Sequence, residues 1–102
     1  MDDFKIYLIA TIGKISEQDG VEDTRTIGYY LDFETAKKKV ETNAFDIHEN
    51  CYEYAVIEDV GPGLYASTES TPVFFKWDES VHGYREIEMP ESLRNFCGFT
   101  IG

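Results

Sequence analysis

Four side chains have the chemistry to hold a metal or run a nucleophilic reaction. His48 and Cys51 stand three positions apart, a spacing two metal ligands can share, and His82 with Cys97 would complete a set of four. No second short-spaced pair accompanies the first, so the plainer expectation is a loop histidine with buried cysteines. Either cysteine beside either histidine could form a nucleophile and its base, yet neither lies in a local catalytic motif. The neighbouring carboxylates Glu58 with Asp59, and Asp78 with Glu79, would point to opposite faces of an extended chain and could not share a proton. Gly61-Pro62-Gly63 has no helix after it and reads as a turn, not as a phosphate loop. We therefore expect no catalytic residues, no metal and no cofactor.

Aromatic and charged residues say more. Tyr29, Tyr30, Tyr52, Tyr54, Trp77 and Tyr84 fall on segments expected to share one sheet, where half must face away from any helix packed on it. Exposed, they could stack on a base or anchor a protein partner, with Arg85, Arg25 or Lys76 available for a phosphate or carboxylate. They would serve a homodimer interface equally well, or fill a core poor in leucine. Twenty acidic side chains against nine basic ones give a formal charge of −11, which repels nucleic acid and anionic membranes. Such a surface keeps a protein soluble, and it also attracts basic protein surfaces. Its densest stretch, SEQDGVED, places Glu17, Asp19, Glu22 and Asp23 together as a candidate acidic patch.

These residues need elements to position them. In FKIYLIATIGKI, Phe4, Ile6, Leu8, Ala10 and Ile12 share one parity while Tyr7 and Ile9 lie on the other, as in a central strand. TRTIGYYL alternates similarly, so the two form a hairpin joined by a long acidic loop. Asp32 can cap a helix over residues 33 to about 46, whose stripe of Phe33, Ala36, Val40, Ala44 and Ile47 packs on the sheet. Lys37, Lys38 and Lys39 point largely away from that stripe. CYEYAVIEDV is a second inner strand, and VFFKW with YREIE makes a second hairpin, Val73, Phe75 and Trp77 sharing a face. A loop over 67–72, a helical turn after Pro90 and a strand in GFTIG complete the pattern. The order ββαβββ predicts an α+β fold, with an antiparallel-dominated sheet of about five to six strands and one main helix on one face.

At 102 residues, with 15% aromatics, the chain can bury one core unaided, and we read 1–102 as a single domain. No apolar run approaches the roughly 20 residues that span a bilayer, and Met1-Asp2-Asp3 is no secretory leader. A cytoplasmic location and reduced thiols follow as expectations.

The stretch TIGYYLDFETAKKKVETNAFDIHENCYEYAVIEDVGPGLY, the later FFKWD and the closing NFCGFTIG resemble small uncharacterised proteins of Firmicutes and their phages. The resemblance covers most of the chain and implies a context, not a chemistry: a compact acidic protein of phage type is compatible with interference in host defence, by occupying a protein surface or sequestering a small signal. Charge and context together suggest a non-catalytic acidic protein that binds a host protein with a basic surface. The alternatives are a small-molecule or nucleotide-signal sponge, with Arg85 closing an aromatic pocket, and a small metal protein or enzyme built on the His/Cys set. Direct nucleic-acid or membrane binding is not expected.

Overall fold

The computed structural model describes residues 5–16, 20–61 and 72–90. Its element order is β1 (Ile6–Ile12), β2 (Lys14–Ser16), β3 (Gly20–Glu22), β4 (Arg25–Tyr30), α1 (Phe33–Glu41), β5 (Tyr54–Val60), β6 (Val73–Asp78) and β7 (Gly83–Ile87). Five strands form one sheet in the order β4-β1-β5-β6-β7, every neighbouring pair antiparallel. Because β4 and β5 both run antiparallel to β1, they are parallel to each other, and α1 carries the chain across β1 between them. The fold is therefore α+β, with one main helix packed on one face of the sheet, as the hydrophobic pattern predicts.

Each face of the sheet follows from strand parity. Ile9, Ala55, Ile57, Phe75 and Tyr84 lie under the helix and pack with Ala36, Val40 and Ile47. Ala10, Ile12, Val56 and Phe74 form a second cluster on the opposite face, with Ile15, Tyr54, Ile87 and Met89 against it. Apolar residues on both parities of β1 thus have one origin, since both faces of that strand are covered. Glu58 is buried on the second face, while its neighbour Asp59 turns to the helix side and meets Lys5 at 3.3 Å. Those two carboxylates are on opposite faces, as expected.

Two expectations need correction. The acidic connection between β1 and β4 is not an open loop, because β2 and β3 pair within it as a short ribbon, Lys14 opposite Glu22 and Ile15 opposite Val21. Helix α1 also ends at Glu41, five residues short of the predicted end. Its start is as read: the Asp32 carboxylate accepts from the Thr35 N–H and from the Thr35 hydroxyl, both at 2.9 Å. At its other end Thr42 donates from its hydroxyl to the Lys38 carbonyl at 2.8 Å, and Asn43 enters the left-handed region at φ 54°. That reversal breaks the helical ladder, although Ile47 still reaches the core. The strand expected to begin near Cys51 begins at Tyr54. The expectations for residues 67–71, the turn after Pro90 and the GFTIG strand lie outside the described residues.

Candidate functional site

Strand β4 ends the sheet on one side. Its ladder to β1 shifts register between Ile9 and Ala10, a bulge of the kind that re-aims side chains at sheet edges. Ile27, Tyr29 and Leu31 are 36%, 58% and 65% exposed, and across the edge Phe45 is 91% exposed. These four are all but one of the large apolar side chains found exposed among the described residues; the fifth, Val81, is in the β6–β7 turn.

Phe45 is held outward by its backbone. Asn43, Phe45, Asp46, Glu49 and Asn50 all adopt positive φ between 48° and 59°, a conformation that disfavours a residue with a bulky side chain. Neighbouring residues pin this turn from inside. The Asn43 side-chain oxygen accepts from the His48 N–H at 2.9 Å, and the His48 carbonyl accepts from the N–H groups of Cys51 and Tyr52. Ile47 is buried in the core, and the His48 ring stacks on Trp77 with centroids 3.7 Å apart and planes 1° from parallel. With Ile47 and His48 as inward pegs, Phe45 is left on the solvent side.

Between this turn and β4 lies a cleft of about 400 Å³, whose lining includes Ile9, Gly28, Tyr30, Phe45 and Ile47. A Cβ placed on Gly28 would meet nothing within 4 Å, so the glycine leaves open space beside it. Charged groups on the rim are mixed. Lys39 Nζ lies 5.8 Å from the centre of the Phe45 ring, and Arg25 meets Glu49 at 3.3 Å. A hydrogen bond with the Tyr52 side chain, and then the charge of Glu49, hold the Arg25 guanidinium above its ordinary pKa. With Asp46 also on the rim and Asp23 and Asp32 flanking β4 in sequence, acidic groups outnumber basic ones around the edge.

The aromatic residues singled out from the sequence divide between three places. Tyr29 is exposed at the β4 edge and Tyr30 packs against the helix-side core. Trp77 and Tyr84 form a ring cluster with His48 under the helix. Their polar atoms are engaged, Trp77 Nε1 donating to Glu79 at 2.7 Å and the Tyr84 hydroxyl to the Tyr52 carbonyl at 2.6 Å. Tyr54 lies on the opposite face, with Lys76 Nζ 5.8 Å from its ring centre, and Arg85 Nε meets Asp78 at 2.6 Å. Arg25, Lys76 and Arg85, the cations proposed for an anion, are thus all engaged within the chain. Of the acidic patch, Glu22 is half-buried in β3 and Asp23 is exposed at φ 59°, while Glu17 and Asp19 lie outside the described residues.

The His/Cys reading is reversed in burial. His48 is 9% exposed and Cys51 is exposed, where a loop histidine beside a buried cysteine was expected. The cause is the ring stack, which uses the imidazole as a flat core group. His82 is exposed in the β6–β7 turn, and Cys97 is outside the described residues. Among the described residues no three His, Cys, Asp or Glu side chains group to hold a metal, and no helix is long and apolar enough to cross a membrane.

Sequence reasoning missed Ile27, Gly28, Leu31 and Phe45. Phe45 carried one signal: it is a large aromatic residue lying off the apolar stripe that runs through Ala44 and Ile47. No protein-family model matches the chain, and no curated protein and no solved structure shows significant similarity to it.

Proposed function

We propose that this chain is a non-catalytic acidic binding protein of phage or mobile-element type, which interferes with host defence by binding a host protein through the β4 edge and its cleft. One observation carries the reading: Ile27, Tyr29 and Phe45 are exposed around an open cleft, with Leu31 exposed just beyond β4, in a chain of charge −11. Apolar anchors of this kind supply most of the affinity at protein interfaces, especially where a pocket receives the partner's own anchor. Charge supplies speed, because an acidic surface draws a basic one in from a distance. The engaged state of Arg25, Lys76 and Arg85 favours this reading over an anionic small-molecule ligand.

The test compares the wild-type chain with a Tyr29→Ser, Leu31→Ser, Phe45→Ser variant as baits in host cells, with quantitative mass spectrometry of what each retains. All three sites are exposed, so the variant should melt as the wild type does. A host protein with a basic surface should be retained by the wild type and lost by the variant. Equal retention by both would refute the reading. A melting temperature raised by nucleotides and left unchanged by proteins would favour the sponge instead.

A further inference from the structure

We infer that β4 is a docking edge for an extended segment of the partner, which adds to the sheet as a sixth strand and lodges an apolar side chain in the cleft beside Gly28. The inference rests on the reading above and specifies how that site recognises its partner. An edge strand turns the N–H and C=O of alternate residues outward, which makes it a template for another strand. Natural proteins guard such edges with charge, proline, a bulge or a covering element; β4 carries the bulge, at Ile27, and no proline. Here the β4 edge bears Ile27 and Tyr29, with Leu31 directly after it, and among the described residues no strand pairs with its outer side.

The added strand would lie about 4.8 Å outside β4, with side chains alternating between faces. On the helix side they would meet the cleft, the open space at Gly28 and the Phe45 ring. On the other side they would meet Tyr29, whose partner across the β1 ladder, Leu8, has the parity of the second face. The strained turn at Phe45 supports this assignment, because a bulky residue held at φ 56° and 91% exposed has no packing role within the described chain.

Charge identifies the occupant. A second copy is another candidate, but antiparallel self-pairing centred on Ile27 sets Glu22 of each copy opposite Asp32 of the other, and centring on Gly28 sets Thr24 there with Asp23 next to it. Two chains of charge −11 would meet acid to acid at both ends of the new ladder, within the roughly 8 Å over which charges still interact at physiological salt. The fitting segment is an extended stretch of a different protein, apolar in alternation at its centre and carrying lysine or arginine at its ends to face Asp23 and Asp32.

The probe is a displayed library of short random linear peptides, selected on the immobilised full chain at physiological salt. Enriched peptides should combine alternating apolar residues with terminal lysine or arginine, and should shift the backbone amide resonances of β4. Phe45→Ser and, separately, Gly28→Leu should each weaken them by on the order of tenfold. N-methylation of one peptide amide in alternate positions should do the same, because it removes a ladder donor. Weakening by Phe45→Ser without any effect of N-methylation would overturn strand addition while leaving the site in place. No enrichment, or binding indifferent to both substitutions, would overturn the inference and the site together. A concentration-dependent dimer abolished by Tyr29→Lys would overturn the inference in favour of a second copy.

Discussion

Both β4 and β7 end the sheet, but their edges are built from different material. On β7, Arg85 meets Asp78 at 2.6 Å and Glu86 meets Lys37 of the helix at 3.5 Å, so the strand shows charge at its margin. Its first residue is clamped, because a Cβ on Gly83 would run into the Glu41 carbonyl oxygen at the end of α1. On β4, tyrosine, isoleucine and the following leucine reach solvent, and Gly28 has open space where Gly83 has backbone. Charge reaches β4 only at its start, where Arg25 meets Glu49, and the middle of the strand bears a bulge and apolar side chains. The difference is what the proposed binding role of the β4 edge rests on.

Matched substitutions at the two glycines should show the contrast most strongly. Gly83→Ala forces apart the start of β7 and the end of α1, and should cost about 3 kcal/mol or more in urea unfolding. Gly28→Ala should add about 0.5 kcal/mol of stability from the lost freedom of the unfolded chain. Similar losses at both positions would break the comparison.

A smaller effect is expected inside the β7 side. Tyr84→Phe removes the hydroxyl that donates to the Tyr52 carbonyl and should cost about 1 to 2 kcal/mol. Burial first, and then the charges of Glu53, Cys51, Asp46 and Glu49, push the Tyr84 phenol above its ordinary pKa. A raised value means that this stability is complete below the unfolded phenol's pKa of about 10, and is lost as pH rises through the folded one. Urea midpoints followed into alkali should therefore fall in the wild type and fall less in Tyr84→Phe.

Next comes the junction leaving β4. Asp32→Ala frees the Thr35 N–H and should cost about 1 kcal/mol, read as a lower urea midpoint at unchanged slope. The smallest effect belongs to the β6–β7 turn. Hydrogen bonds from the Ser80 hydroxyl and N–H, and then Arg85, hold the half-buried Asp78 carboxyl below its ordinary pKa. A lowered value means stability present above the usual carboxylate range and lost as pH falls through the folded pKa. Asp78→Asn should flatten that acid limb slightly, and leave the β4 side unaffected.

Apolar runs made most of the sheet readable, because the side chains of β1, β5 and β6 sort by parity onto two faces that are both covered. Asp32 was legible too, since a helix cap is a local device. What the sequence hid depends on residues far apart or on single dihedral angles. Asn43 turns left-handed and ends α1 at Glu41; asparagine favours that conformation, but the apolar stripe running on through Ala44 and Ile47 hid the stop. Lys14 pairs with Glu22 in a stretch whose polarity suggested a loop. The candidate site was half legible. Tyr29 was named among six aromatic residues of which half were expected to face away from the helix, but which of them lies at a sheet edge depends on strand order. Ile27, Leu31 and Phe45 look like core residues in a linear reading, and only the completed fold leaves them outside.

The stack of His48 on Trp77 has an optical consequence. The chain contains a single tryptophan, so its long-wavelength emission comes from one indole, lying face to face with an imidazole three residues beyond Phe45. Any occupant that shifts the turn bearing Phe45 will alter that ring pair and with it the emission. The protein therefore carries its own unlabelled fluorophore for titrating whatever settles on the β4 edge.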